Sequence, residues 1–187
     1  MNNELIFIRH AKTKVDKEIP IENWVLTEEG IKQAQGVANI SDFHDADLLI
    51  SSDEEKAYLT LRPLADKLGK KILKVSELGE IKRPNSEKLT LEQYEAMKVK
   101  IFQDLNYSDY DWETANSALS RFKQAIEKID NKYANKKIII CAHGTVMTLY
   151  FASLAGEMND LMKRWKGLEF GAVGIIKNKK LIRDIVK

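Results

Sequence analysis

The sequence predicts an α/β fold, a three-layer α/β/α sandwich with a mostly parallel central sheet. Short apolar runs alternate with amphipathic stretches of helical spacing along most of the chain. This alternation is typical of β-α-β units, whose right-handed crossovers place helices on both faces of a sheet. The chain has 187 residues, no internal repeat and no low-complexity linker, so we expect a single domain over residues 1–187.

The first half of the chain contains three predicted strands and two predicted helices. Thr27 is a suitable N-cap for the first helix, because Glu28 and Glu29 follow it and carboxylates are favourable in a first turn. Pro63 lies well inside the second helical stretch and predicts a kink or a break there. The strands are expected at about residues 4–8, 47–51 and 71–75, and the helices at about 28–40 and 54–68.

The second half opens with residues 81–112, the least regular stretch of the sequence. We expect this stretch to form an insertion or lid over a site rather than a core element, with one short helix at about 90–104. The chain ends in a predicted hairpin, and Asn178 is its expected turn residue. The other expected elements are helices at about 116–134 and 145–154, a strand at 137–142, and hairpin strands at 171–176 and 181–186.

The composition restricts the class of partner. The net charge of +2 is the small difference between 30 basic and 28 acidic side chains, so no nucleic-acid partner is expected. Cys141 is the single cysteine, which excludes an intramolecular disulfide and a multi-cysteine zinc site, and we interpret it as a small buried apolar side chain. No signal peptide precedes the first strand, and no apolar run approaches the roughly 20 residues that span a bilayer. We therefore expect a cytoplasmic protein with no membrane partner.

Two of the three histidines lie at the ends of predicted strands. Arg9 and His10 follow one apolar run, and His143 follows another. The carboxyl ends of parallel strands form the ligand-binding edge of such sheets, where a guanidinium matches two phosphate oxygens and a neutral imidazole is a good nucleophile. The first N–H groups of the helix after His143, near Gly144 and Thr145, could also face an anion. The sequence therefore predicts a phosphate site with a histidine nucleophile.

Five segments, taken in order, match the motifs of a known family in type and spacing. They are Arg9-His10-Ala11-Lys12-Thr13, the run from Leu26-Thr27 to Gln33-Ala34, Ser51-Ser52 followed by Lys56-Ala57 and Thr60, Leu78-Gly79-Glu80, and His143-Gly144. These segments resemble the Arg-His-Gly-x-Thr, Leu-Thr-x-x-Gly-x-x-Gln-Ala, Ser-Ser-x-x-x-Arg-Ala-x-x-Thr, Leu-x-Glu and second-histidine motifs of the histidine phosphatase superfamily, also called the phosphoglycerate mutase-like family. Together they extend over residues 5–145, most of the chain.

The resemblance implies a phosphoglycerate mutase-like fold and a phosphomonoester hydrolase that needs neither metal nor cofactor. His10 would attack phosphorus and become a phosphohistidine, which water then hydrolyses. Glu80 would protonate the departing alcohol and later activate water, which requires a raised carboxyl pKa. Arg9 and His143 would complete the catalytic group. The residues implied to hold the phosphate are Arg9, Thr13, Lys56, His143 and Gly144.

Two departures from the family pattern affect the phosphate site. Lys56 stands where the family has its second arginine, which keeps the charge but loses the bidentate fork. We expect reduced activity from this change, with about 10²–10³-fold as the upper limit for one lost donor, unless a cation such as Lys12 compensates. Ala11 replaces the usual glycine and would narrow the floor of the pocket.

The segment around the acid also departs from the family. Glu77 lies three residues before Glu80 and is an alternative for the acid. The family's Gly-x-Trp-Glu-Gly run after the acid is missing, and Lys82 and Arg83 add two cations there instead. These charges predict a more positive mouth and a more anionic substrate.

Two other functions stay open from the sequence. A non-catalytic phospho-ligand binder would account for Lys56, Ala11 and the altered segment after Glu80. A phosphoglycerate mutase is less favoured, because such enzymes carry extra segments that the 187 residues leave no room for. The expected partner is a small phosphorylated molecule, and neither its identity nor the oligomeric state can be predicted.

Overall fold

The computed structural model describes residues 2–84, 86 and 89–186. Within these residues six strands form one mixed sheet, in the order β3-β2-β4-β1-β5-β6. The four strands from β3 to β1 are parallel, whereas β5 is antiparallel to β1 and β6 to β5. The strands are β1 (Glu4–Arg9), β2 (Leu48–Ser51), β3 (Ile72–Lys74), β4 (Lys137–Ala142), β5 (Val173–Lys177) and β6 (Lys180–Arg183).

Helices cover both faces of the sheet, as the sequence predicts. Ile6 and Ile8 of β1 face a core cluster shared with the first two helices, whereas Leu5 and Phe7 face the larger cluster shared with the other four. The helices are α1 (Glu28–Ala38), α2 (Glu55–Leu68), α3 (Leu91–Gln103), α4 (Ala115–Lys132), α5 (Gly144–Ala155) and α6 (Leu161–Gly167). The predicted α/β sandwich with a mostly parallel sheet is therefore confirmed.

The pairing of β1 with β4 determines where the site lies. These strands are parallel neighbours at the centre of the sheet, and their last residues, Arg9 and Ala142, are register partners. The backbone N–H of His10 continues the ladder by donating to the Ala142 carbonyl at 2.9 Å. Because each strand is followed directly by a histidine, this register brings His10 and His143 to the same edge of the sheet.

Three elements differ from the sequence-based expectations. A kink or a break was predicted at Pro63, and the break is wrong, because α2 continues through this proline as one helix. The stretch 81–112 contains α3, whose Ile101 and Phe102 belong to the larger core cluster, so this helix is part of the core. Asn85, Glu87 and Lys88 of that stretch lie outside the described residues. Helix α6 was not predicted at all.

Two further expectations, the C-terminal hairpin and the buried Cys141, agree with the structure. The C-terminal hairpin turns at Asn178 and Lys179, both with positive φ, which is the geometry that a two-residue hairpin loop needs. Cys141 is fully buried in β4, and burial raises the pKa of its thiol. No helix within the described residues is both long and apolar enough to cross a membrane.

Candidate active site

The two strand-end histidines lie side by side at the carboxyl edge of the parallel strands. His10 directly follows β1, and His143 is the N-cap residue of α5. Their ring centroids are 5.1 Å apart, and the exposed fraction is 7% for His10 and 0% for His143. The structure therefore brings together the two residues on which the predicted phosphate site depends.

The ring of His10 is fixed through its Nδ1 atom. Nδ1 lies 2.8 Å from the carbonyl oxygen of Ala11. A carbonyl only accepts, so Nδ1 holds the proton of the neutral ring and Nε2 keeps its lone pair. The hydroxyl of Thr13 donates to the same carbonyl at 3.2 Å and therefore supports this arrangement. Burial lowers the pKa of His10 well below its usual value, and the neighbouring His143 lowers it further. The ring is thus in the state that a nucleophile requires.

Helices α1 and α2 support the loop that follows His10. The N–H of Ala11 donates to the hydroxyl of Thr60 at 2.9 Å. A Cβ at Gly30 would lie 2.1 Å from the Lys12 carbonyl oxygen, so only glycine lets α1 approach the loop this closely. The Lys12 ammonium lies 2.5 Å from Glu29, and both side chains are exposed. In this structure Lys12 is therefore paired outside the site instead of compensating for the missing arginine.

Arg9 reaches the site from the end of β1. Its guanidinium stacks on Phe170, with 4.2 Å from Cζ to the ring centroid, and donates from Nη1 to the Leu168 carbonyl. Its Nε is buried and has no hydrogen-bond partner among the described residues. A Cβ at Gly144 would lie 3.3 Å from this guanidinium, so the glycine after the second histidine leaves room for Arg9.

His143 is held through Nε2. The hydroxyl of Ser52 lies 2.7 Å from this nitrogen, and Oε1 of Glu54 lies 3.2 Å from it. Nδ1 of His143 is buried and has no partner among the described residues. Burial lowers the pKa of His143, and the opposing charge of Glu54 offsets only part of this shift. Nδ1 is consequently the ring atom that can contact a ligand.

Lys56 lies inside the site, and its charge is paired with a carboxylate. The residue is 2% exposed, and Nζ donates to Oε2 of Glu54 at 2.5 Å and to the Ile21 carbonyl at 2.9 Å. Burial raises the pKa of Glu54, but the charges of His143 and Lys56 lower it by more, to about 2. Glu54 is therefore a buried anion that contacts both the second histidine and the lysine.

The carboxylate of Glu80 caps the N-terminus of α5. Oε2 accepts from the backbone N–H and the hydroxyl of Thr145, each at 3.0 Å, and Oε1 accepts from the N–H of Val146 at 3.2 Å. Oε1 also accepts from the N–H of Ile81 at 2.9 Å. The helix N-terminus does face an anion, as its position predicts, but that anion is Glu80.

The charge state of Glu80 differs from the expectation. Burial raises its pKa, but the charges of Lys98, Arg83 and His143 lower it by more, so the pKa lies well below its usual range. The predicted raised pKa is therefore wrong for the protein without ligand. The reason is that two cations and the α5 N–H groups all favour the carboxylate.

Glu77, the alternative acid, lies outside this cluster. Its side chain is exposed, and its carboxylate accepts from the Ser76 hydroxyl at 3.2 Å. Of the two candidates for the acid, Glu80 is thus the one that lies near His143.

A cleft of about 1050 Å³ opens next to the site, with Glu54, Glu80 and Arg83 among its lining residues. Nη1 of Arg83 lies 3.8 Å from Oε2 of Glu80, whereas Lys82 is exposed. Seven carboxylates and four cations line the cleft, so the expected positive mouth is wrong for the cleft as a whole. The excess of positive charge is restricted to the buried residues around the histidines.

Two side chains of this site, Glu54 and Lys98, were not identified from the sequence. Glu54 lies two residues before Lys56, and this i−2 acidic neighbour of a motif lysine is the only signal that could have identified it. Lys98 is 1% exposed and its Nζ lies 2.5 Å from the Thr145 hydroxyl, but no sequence pattern links residues this far apart. A buried lysine beside a catalytic edge becomes apparent only in three dimensions.

Comparison with known proteins agrees with the motifs. The model of the family described as histidine phosphatase superfamily (branch 1) matches residues 5–179. Phosphoglycerate mutase-like protein 4 of Arabidopsis thaliana is 25% identical over 155 residues, which are 77% of this chain and 67% of that protein. Phosphoserine phosphatase 1 of Hydrogenobacter thermophilus is 23% identical over 170 residues, 87% of this chain and 80% of that protein. The solved structure of Bacillus stearothermophilus YhfR has a TM-score of 0.80 at 19% identity and covers 97% of this chain and 95% of its own.

Proposed function

Because the chain belongs to the histidine phosphatase superfamily (branch 1), we propose that it is a phosphatase that hydrolyses small phosphomonoesters without a metal, through a phosphohistidine on His10. One observation carries this proposal. Nδ1 of His10 is bonded to the Ala11 carbonyl at 2.8 Å, which leaves Nε2 free to attack in a pocket rich in cations. The name of the Hydrogenobacter relative, a phosphoserine phosphatase, supports hydrolysis over other chemistry.

The charge balance of the buried site supports a dianionic ligand. With both histidines neutral, the buried cations exceed the buried carboxylates by two. A phosphomonoester carries close to two negative charges at neutral pH, so it would balance this excess. The cations are Arg9, Lys56, Arg83 and Lys98, and the carboxylates are Glu54 and Glu80.

In the first half-reaction, Nε2 of His10 forms a bond to phosphorus while the bond from phosphorus to the leaving oxygen breaks. Glu80 gives its proton to that oxygen. In the second, Glu80 takes a proton from water, whose oxygen attacks phosphorus and releases His10 and inorganic phosphate. The phosphoryl oxygens would be held throughout by the charges of Arg9 and Lys56, the hydroxyl of Thr13, the ring of His143 and the backbone at Gly144.

Glu80 must be protonated in the first half-reaction, although its pKa is low in the free protein. A phosphate dianion placed among the same cations would oppose their effect on Glu80 and raise its pKa. Binding of the substrate would therefore favour the protonation of Glu80 that the first half-reaction needs. Arg83 and Lys98, which both come from the stretch 81–112, would form one side of this charge cluster. Lys56 paired with Glu54 would lower turnover relative to an unpaired arginine at that position.

The test is hydrolysis of p-nitrophenyl phosphate in the presence of EDTA, with His10→Ala as the inactive variant. His44→Ala is the matched control, because His44 is exposed and bonds only the Ala38 carbonyl among the described residues. An alkaline quench should trap a phosphoenzyme that is stable to base and labile to acid, in the wild type and in His44→Ala alone. Turnover that requires a metal, or that survives His10→Ala, would contradict the proposal.

Two outcomes point to the alternative functions. Binding of vanadate or phosphate without turnover of any phosphomonoester would identify a phospho-ligand binder, for which the Glu54–Lys56 pair is the structural argument. A mutase would show activity in an enolase-coupled assay that depends on added bisphosphoglycerate. We favour hydrolysis, because the cleft beside Glu80 is wide and would admit water.

A further inference from the structure

Lys98 is a buried lysine with a polar contact to the catalytic edge. It lies on α3 and is 1% exposed, and Nζ donates to the hydroxyl of Thr145 at 2.5 Å. The rings of Tyr94 and Trp165 lie on either side, 5.5 and 5.7 Å from Nζ. A buried ammonium is costly unless something compensates its charge, so the charged groups nearby determine its role.

The hydroxyl of Thr145 connects Lys98 to Glu80. An ammonium has no lone pair, so Thr145 must accept from Lys98 and is free to donate its own proton. That proton is directed to Oε2 of Glu80, 3.0 Å away. Both hydrogen bonds therefore point in the same direction, from the lysine to the carboxylate. Each bond polarises the next, and the pair favours the ionised form of Glu80.

Other groups around Glu80 add to or oppose this effect. Arg83, His143 and the α5 N–H groups favour the ionised form of Glu80. The phenol of Tyr94 lies near Lys98 and Arg83. Glu54 opposes this effect, and accepts the backbone N–H of Glu80 at 2.7 Å. Lys98 is hydrogen-bonded to a hydroxyl that itself donates to the carboxylate, whereas Nη1 of Arg83 lies 3.8 Å from Oε2, beyond hydrogen-bond distance, so we expect removal of Lys98 to have the larger effect.

We propose that Lys98 is a positioning residue that acts through Thr145 to hold Glu80 as a carboxylate, and that it thereby restricts fast turnover to phosphomonoesters whose leaving group needs little protonation. Aryl and enol phosphates belong to this class, whereas alkyl phosphates need a protonated acid. The inference rests on the proposed function, in which Glu80 is the acid.

The kinetic test compares glycerol phosphate with p-nitrophenyl phosphate in Lys98→Met. Above the pKa of Glu80, its protonated fraction rises tenfold for each unit by which the pKa rises. At mildly alkaline pH the ratio of kcat/KM for the alkyl ester to that for the aryl ester should therefore increase, by up to about tenfold. General damage to the site lowers both rates and leaves the ratio unchanged.

Lys100→Met is the matched control, because Lys100 lies on the same helix, is exposed and contacts Tyr107. It should leave the ratio as in the wild type. A ratio in Lys98→Met that stays unchanged or falls would overturn the proposal.

A second measurement does not depend on turnover. Carbon-13 NMR of labelled glutamate follows the titration of the Glu80 carboxyl, which Glu80→Gln identifies by loss of its signal. The pKa should be higher in Lys98→Met than in the wild type. Thr145→Val keeps the lysine but removes the connecting hydroxyl, so it should raise the pKa of Glu80 by a smaller amount. This variant replaces Lys98→Met in the test if Lys98→Met does not fold. An unchanged titration contradicts the role of Lys98, whereas an inactive wild type with the expected titration contradicts only the proposed function.

Discussion

Oε2 of Glu54 lies 2.5 Å from Nζ of Lys56, and both side chains are almost completely buried. The cation at the position of the family's second arginine is thus already neutralised before any substrate arrives. A phosphate that binds here must compete with Glu54 for the lysine. The replacement of arginine by lysine and the carboxylate two residues earlier are therefore best treated as one unit.

Glu54→Gln should tighten inhibition by inorganic phosphate about 3–10-fold, because it removes an anion beside the site and releases Lys56. Glu55→Gln is the matched control, since among the described residues Glu55 makes no hydrogen bond or ion pair with His10 or His143. Lys56→Arg alone should increase the affinity for phosphate only slightly, because the new guanidinium would pair with Glu54. In the Glu54→Gln background the same change should increase that affinity clearly. Equal effects of Lys56→Arg in both backgrounds would show that the two residues are independent.

His143→Ala should lower kcat by about 10²–10³-fold, as expected for the loss of one preorganised donor to the phosphoryl group. The phosphoenzyme should still form slowly, because Nε2 of His10 is intact. Steady-state kinetics and the alkaline quench together check this. A complete loss of the phosphoenzyme would assign His143 a larger part in the first step.

Glu80→Gln should separate substrates by leaving group. Turnover of an alkyl phosphate should fall about 10²–10⁴-fold, the range of general acid catalysis, while formation of the phosphoenzyme from p-nitrophenyl phosphate should change little. Glu77→Gln, at the exposed alternative position, should leave both unchanged. The opposite pattern would transfer the acid role to Glu77.

The pH dependence should follow from the low pKa of His10. Burial and His143 lower this pKa. The ring should therefore stay neutral as the pH falls below about 6.5, where a free histidine would become protonated. The rate of phosphoenzyme formation from p-nitrophenyl phosphate should therefore not fall as pH decreases through that value. The two buried histidines should also make the free energy of unfolding decrease as the pH falls below about 6.5, because the unfolded chain binds more protons than the folded chain in that range. An activity limb centred near 6.5 would contradict the observed environment of His10.

Gly174→Ala should destabilise the fold by about 1–3 kcal/mol, because the new Cβ would lie 2.4 Å from Cζ of Phe151 in the core. Gly36→Ala is the matched control: it adds the same methyl group within α1, where nothing lies within 4 Å. That change should stabilise by roughly 0.5–1 kcal/mol, since alanine loses less entropy in a helix. Urea unfolding of both variants measures the difference, and equal midpoints would contradict it.

The fold and the histidine pair could be predicted because local patterns determine them. Apolar runs identify the strands, and a histidine after each of two parallel strands places both at one edge. Pro63 was misjudged because Leu61 and Leu64 are fully buried, and that burial outweighs one missing hydrogen bond.

The electrostatic details of the site could not be predicted from the sequence. The low pKa of Glu80 results from Lys98, Arg83 and a helix N-terminus, three contributions that the fold assembles from different segments. A motif specifies the residue type, whereas its protonation depends on neighbours that the motif does not contain.

The central position of β1 beside β4 also has a consequence for protein synthesis. His10 is synthesised well before His143, and β1 is synthesised well before β4, the parallel strand that pairs with it. A nascent chain therefore first carries His10 without His143 and without α5, whose N-terminal N–H groups bind Glu80. The proposed phosphohistidine chemistry would begin only after His143 and α5 have been synthesised, so a product that ends before them would be inactive.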